Sequence, residues 1–147
     1  MNPLVELDEL LAALAPSLEP GQYVFCTLPA TSKPPAGVEP LATIREPEGL
    51  SLVLPAEAGS DAGLACDGPF RLISLRVNSS LNAVGLTAAV AATLAAAGIS
   101  ANVVAGYHHD HLFVPADRAE DAVKALRALS ESVSGGHCVS PGNGRGR

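Results

Sequence analysis

Residues 104–115 read VAGYHHDHLFVP, and three of the chain's four histidines, His108, His109 and His111, crowd around Asp110. Imidazole and carboxylate groups this close can bind a metal, exchange protons or contact a polar ligand. A metal centre needs three or four ligands converging at fixed geometry. On an extended strand His109 and His111 share one face and Asp110 points to the other, so these residues do not converge by themselves. No remote Cys/His pair stands out to complete a set, because His137 and Cys138 fall in a glycine-rich tail. Hydrolytic His-Asp chemistry needs further ligands from separate helices, and no histidine precedes His108. Ser79 or Cys66 is a conceivable nucleophile, but nothing in the spacing pairs either with a histidine base. Two readings stay open for the stretch: a solvated polar turn, or a pocket rim in which Asp110, with His108 or His109, touches a ligand.

The elements that position this stretch follow from periodicity. Asn2 and Pro3 form a helix start, and Leu4, Leu7, Leu11 and Leu14 recur on one helical face. QYVFCTL is rich in strand formers, and the proline-rich PATSKPPAGVEP that follows interrupts regular structure. LATIRE and LSLVLP read as strands around the turn PEG, where Gly49 can take a positive φ. FRLISLRV alternates, with Ile73, Leu75 and Val77 on one face and Phe70 and Leu72 on the other. A helix is expected from Asn78, Ser79 and Ser80 through about Ala97, with Leu86, Val90 and Leu94 stacked and Gly98 as its C-cap. ISANVVAG and HLFVP pair as strands, which places the histidines at a strand-turn-strand junction. Asp117 and Glu120 have capping-box spacing before a last helix whose apolar face is Ala119, Val123, Leu126 and Leu129.

The chain has 147 residues, 48% of them apolar, enough for one domain or two small ones packed together. A net charge of −6 gives no broad attraction for nucleic acid. No apolar run nears the roughly 20 residues that span a bilayer, and the N-terminus lacks a basic start, so a cytoplasmic protein without membrane contact is expected. Cys26, Cys66 and Cys138 are isolated and odd in number, which predicts reduced structural thiols. The segments EPE (46–48), Arg71 and Arg76 read as solvated or ion-paired, with pocket-wall and carboxylate-binding roles as alternatives.

An internal repeat organises these elements. A shift of sixty residues lays LVLPAEAGSDA (52–62) on LFVPADRAEDA (112–122), with Leu, Pro, Ala, Asp and the final Ala identical. Helix, strand, strand, proline and short helix recur in the same order in both halves. Right-handed crossovers on either side of a hairpin give an α+β fold of two ferredoxin-like βαββαβ units. FRLISLRV sits where it can close one unit and open the next. The first unit, lacking its own initial strand in this reading, is the degenerate one.

The stretch RLISLRVNSSLNAVGLTAAVAATLAAAGISANVVAGYHHDHLFVP resembles ACT domains, and the whole of residues 4–133 resembles short tandem-ACT proteins. The resemblance implies a degenerate N-terminal module over 1–66, a C-terminal ACT module over 67–134 and a disordered tail over 135–147. It also implies antiparallel sheets with helices on one face, no catalytic residues and no cofactor. An amino acid or related metabolite would sit in a groove between modules or subunits of a homodimer, and a separate protein partner would read its binding. Asn78, Ser79 and Ser80 then provide a helix-start cradle for a carboxylate, and Gly85 permits close approach. Similarity to ACT-based arginine sensors carries ligand contacts onto Val84, Gly85, Leu86 and Asp110. This sequence has Ala83 where the sensors have an acidic residue for the ligand's amino group, so arginine is not singled out. Val103, Tyr107 and His108, from the same strand-turn-strand, complete the candidate set. A ligand-free interaction module and a metal-dependent enzyme using residues 108–111 are the alternatives.

Overall fold

The alternating apolar residues of YVFCTL, LSLVLP, FRLISL and HLFVP pair as strands of one sheet, with side chains divided between its two faces. The computed structural model describes residues 3–78 and 80–135. Its elements are α1 (Pro3–Ala12), β1 (Pro16–Leu18), β2 (Tyr23–Leu28), β3 (Ala42–Glu46), β4 (Gly49–Pro55), α2 (Ala56–Asp61), β5 (Cys66–Leu75), α3 (Leu86–Ala96), β6 (Asn102–Ala105), β7 (Asp110–Pro115) and α4 (Ala119–Ser134). A 3₁₀ turn at Ala116–Arg118 leads into α4. Asn2 and residues 136–147, including Cys138 and most of the expected tail, lie outside the described residues.

The sheet runs β3-β4-β2-β5-β7-β6, with β1 also paired to β5, and all neighbours are antiparallel. One edge of β5 is filled by β7, from Phe70 opposite Pro115 to Leu75 opposite Asp110. The other edge is filled by two strands in succession. β2 places Tyr23 opposite Phe70 and Cys26 opposite Cys66, and β1 places Leu18 opposite Ile73 and Pro16 opposite Leu75. Between them the Glu19 N–H donates to the Leu72 carbonyl at 2.9 Å.

The strand orders β5-β2-β4-β3 and β1-β5-β7-β6 are the same ferredoxin-like order written twice. β5 closes the first unit and opens the second, as the sequence predicts. The repeat is also conformational. Pro55 (φ −52°, ψ 138°) and Pro115 (φ −51°, ψ 135°) end equivalent strands in nearly identical backbone geometry, each just before a helical segment. The first unit departs from the pattern at its first helix rather than its first strand. β2 is its opening strand, and residues 29–41 replace the crossover helix because Pro29, Pro34, Pro35 and Pro40 withhold N–H donors from any helix there. The N-terminal α1 instead packs with α3 and α4 on the second unit.

Two clusters underlie the helices. In the larger, Leu11 and Leu14 from the α1 segment meet Ile73 and Leu75, Val90 and Leu94, and Leu112 and Leu126. The smaller joins Cys26, Leu50, Leu52 and Leu54 beneath α2. The opposite face gathers Val53, Leu72 and Phe113 with Tyr23, Phe25 and Phe70. Val53 and Phe113 lie three strands apart in sheet order yet share this cluster, so the sheet curls around it. Edge-on aromatic contacts at centroid separations of 5.3 and 5.4 Å fill the concave side.

Several sequence expectations change here. Cys26 and Cys66 form a disulfide between β2 and β5 rather than remaining isolated. Their separation of 40 positions conceals that they are register partners. Gly49 does not take a positive φ. It is required because a Cβ there would come within 2.5 Å of the Leu28 carbonyl on the neighbouring strand. Residues 16–18 form β1, whose short length and distant partner leave no local signal in the sequence. The Asp117 cap does not form, since the 3₁₀ turn displaces the start of α4 and its first residue has no side-chain cap. Gly98, with φ +71°, caps α3 as expected, and the Ile99 N–H donates to the Leu94 carbonyl at 2.9 Å.

Leu14→Ala should cost about 3 kcal/mol, because it empties a fully enclosed site where α1 meets the second unit. Denaturant unfolding of both proteins measures this, and an unchanged midpoint would contradict the placement of α1. Cys26→Ser should lower stability by about 3 to 4 kcal/mol under oxidising conditions, the loop-closure value for 40 positions. The difference should shrink when wild type and variant are compared in reductant.

Candidate functional site

Three segments meet at one end of the second unit: the loop of residues 76–85 after β5, the first turn of α3, and the turn between β6 and β7. The loop does not continue into a helix at Asn78–Ser80 as the sequence suggests. Ser80 folds it locally: its Oγ accepts from the Asn82 N–H at 3.1 Å and its carbonyl from the Ala83 N–H at 2.9 Å. Gly85, at φ +95° and in the left-handed region, then precedes α3, which begins at Leu86. A Cβ on Gly85 would lie 3.0 Å from the Leu7 side chain, so the close approach that this glycine permits is to α1.

The β6–β7 turn is closed by the Gly106 N–H, which donates to the His109 carbonyl at 2.9 Å, and by pairing of Ala105 with Asp110. Strand alternation puts Asp110 on the same side as Leu112 and Val114, the side that carries the helices, while His111 falls with Phe113 on the other. Asp110 is therefore brought to the start of α3. Between them is a cleft of about 80 Å³. The loop contributes Ser80, Leu81 and Ala83 to it, α3 contributes Leu86 and Thr87, and the turn contributes Ala105, Gly106, His109 and Asp110.

Of the residues singled out in the sequence, Ser80, Leu86 and Asp110 line this cleft together. Asn78 faces a neighbouring cleft on the other side of the loop. Ser79 lies outside the described residues. Val84, 79% exposed, and Tyr107, 83% exposed, do not line the Asp110 cleft, though each adjoins a residue that does; Leu81, which lines it, is 66% exposed. His108 is exposed and packs edge-on against Tyr107. Val103 packs half-buried against the helix-side core instead of lining the cleft. Cys66 is paired with Cys26 at the far end of β5. Among the described residues no group of three or more His, Cys, Asp or Glu is placed to hold a metal.

Sequence reasoning missed Thr87, Ala105 and Gly106 as cleft residues. Thr87 was hidden by the misplaced helix start. Of the two histidines weighed as rim partners of Asp110, His109 lines the cleft and His108 does not; His109 belongs to the turn, where strand alternation does not apply. Its buried Nδ1 has no hydrogen-bond partner among the described residues.

The arrangement is suited to binding. The Asp110 carboxylate can accept from an ammonium, while the first-turn N–H groups of α3 and the Thr87 hydroxyl can donate to an anion. Nearby, Arg76 donates to Glu19 Oε1 at 3.0 Å and holds the Glu19 carboxyl below its usual range; burial opposes this, and Ser74 and Ser17 reinforce it by donating hydrogen bonds. A lowered folded-state pKa contributes stability above the unfolded value near 4.5, and that contribution disappears as pH falls through the folded value. Arg76 is 59% exposed, so screening limits the pair to under about 1 kcal/mol. Arg76→Ala should accordingly lower the melting temperature slightly at neutral pH and converge with wild type as pH falls through the lowered folded-state value of Glu19. A difference unchanged across that range would assign the effect to packing.

Residues 3–71 match an ACT domain family, and residues 68–128 match a second ACT domain family. The chain belongs to the ACT-domain family. This tandem ACT protein is similar in structure to a Vibrio cholerae protein of unknown function described as a possible transport protein, with 49% identity and a TM-score of 0.79 over 88% of this chain and 99% of that one. An Agrobacterium tumefaciens protein aligns with 22% identity and a TM-score of 0.67, covering 78% and 87% of the two chains. The regulatory subunit of aspartate kinase from Thermus flavus shares the fold at 12% identity and a TM-score of 0.58, covering 78% of this chain and 95% of that one. No curated protein matches the tandem ACT chain in sequence. ACT domains are regulatory rather than catalytic modules and commonly bind small molecules. No helix among the described residues is long and apolar enough to cross a membrane.

Proposed function

We propose that this tandem ACT protein is a non-enzymatic, cytoplasmic regulator that binds a small amino acid, with residues 1–66 and 67–134 as its two modules. The observation that carries this reading is the convergence of Asp110, the α3 start and Ser80 on one cleft. The ligand's ammonium pairs with Asp110, and its carboxylate takes donors from the first turn of α3. A volume of about 80 Å³ admits the polar head of such a ligand and leaves a longer side chain at the mouth.

Among the described residues Leu81, Val84 and Tyr107 are three of the five exposed large apolar residues; Leu81 lines the cleft, and Val84 and Tyr107 adjoin the lining residues Ala83 and Gly106 in sequence. Large apolar side chains left exposed on the loop and turn that form the cleft favour a covering surface, which supports a homodimer with the ligand enclosed between subunits. Binding then shifts the arrangement of modules that a separate partner protein recognises. The same exposed side chains also fit the alternative of an interaction module that assembles without ligand.

Thermal-shift measurements against the twenty amino acids separate these readings. A stabilising ligand should raise the melting temperature with the logarithm of its excess over Kd, and Asp110→Ala should weaken binding about tenfold or more. Absence of any shift at millimolar concentrations would sink the amino-acid reading, and equal affinity in the variant would remove Asp110 from the site.

A further inference from the structure

A second cleft, of about 680 Å³, opens on the other side of the 76–85 loop, against α1. One wall is a single stripe of that helix: Glu6, Glu9, Leu10 and Ala13 follow i, i+3, i+4, i+7 spacing. The adjacent stripe, Leu7, Leu11 and Leu14, is sunk into the core, and Leu7 packs where a Gly85 side chain would be. The helix is thus held in a fixed rotation that presents both glutamates to the cleft. The opposite wall carries Arg76, Asn78 and Asn82, with Glu19 anchoring the Arg76 guanidinium.

Charge is divided between the walls, two carboxylates facing one guanidinium and two carboxamides. Among the described residues neither glutamate has an ion-pair partner. Residues three apart on a helix have Cβ atoms roughly 5–6 Å apart, close enough for both carboxylates to receive one ammonium or guanidinium. Arg76 and the carboxamides can take a carboxylate at the other wall. The apolar side chains of Leu10, Ala13 and Val77 lie among these polar groups, suiting a methylene chain.

We propose that this cleft is a second ligand site, selective for an amino acid with a cationic side chain. The distal cation is held by Glu6 and Glu9, and the carboxylate by Arg76. The site shares Ser80 and Ala83 with the Asp110 cleft, so one loop forms a wall of both. It does not depend on the Asp110 cleft being occupied.

Three probes of one chain length dissect the site by titration calorimetry on the full-length protein: lysine, norleucine, which lacks the distal ammonium, and cadaverine, which lacks the carboxylate. Lysine should bind at least about tenfold more tightly than either. The double variant Glu6→Gln/Glu9→Gln should abolish the preference over norleucine, and Arg76→Gln the preference over cadaverine. Asp110→Asn should leave both preferences intact, and melting curves establish that each variant is folded. The proposal is overturned if lysine shows no heat at about 10 mM, a concentration at which even weak sites fill. It is equally overturned if the norleucine preference survives loss of both glutamates. Loss of lysine binding in Asp110→Asn alone would return the ligand to the other cleft and refute this site while supporting that one. Lysine selectivity governed by Glu6 and Glu9, with no amino acid responding to Asp110, would uphold this site and refute the other reading.

Discussion

Backbone hydrogen bonding along both edges of β5 is the constraint on which the molecule rests. A strand inside a sheet must satisfy N–H and C=O groups on two sides, and a missing partner leaves polar groups exposed or unpaired. Here one side is met by β7 and the other by β2 and then β1, so the two units are joined through a common strand. The alternation of that strand also divides the core. Leu72 turns toward the aromatic concave face, and Ile73 and Leu75 turn toward the helices. Neither unit can shift relative to the other without breaking this ladder.

The Asp110 cleft inherits its geometry from the end of the same ladder. Leu75 is the last residue of β5 and pairs with Asp110, the first of β7. The loop that leaves β5 and the turn that enters β7 therefore start from one cross-strand pair. The loop is kept short of helix by the Ser80 turn, and α1 braces its far end through Leu7 and Gly85. The loop is in this way held between two anchors, the end of the β5–β7 ladder and α1.

Much of this was legible in the sequence because it is written in local periodicity. The strands YVFCTL, LSLVLP and HLFVP, the stacked Leu86, Val90 and Leu94, and the sixty-residue repeat all report short-range patterns that burial then enforces. The sharing of β5 followed from the repeat. What was not legible depends on distant partners: β1 has only three residues and no alternation to read, and the Cys26–Cys66 pairing exists only once β2 and β5 are in register. At the site, Asp110 and Leu86 were found, but the helix start was set eight positions early. A run of Asn and Ser can cap a helix or make its own turn, and Ser80 does the latter. The α1 wall was missed because its glutamates look like ordinary solvated residues until the helix is docked on the second unit.

The position of β1 has a consequence for the order in which the molecule can assemble. Residues 3–18 are made before their partners, because α1 and β1 dock on α3, α4 and the C-terminal half of β5. During synthesis this opening segment has no docking surface until most of the chain has followed it. The first unit lacks that handicap, since β2, β3, β4 and the start of β5 are neighbours in sequence as well as in space. Contacts of such long sequence separation form late, because loop closure precedes any gain from packing. Docking of residues 3–18 thus waits on α3, α4 and β5, and it is this docking that fills the edge of β5 beside Ile73 and Leu75.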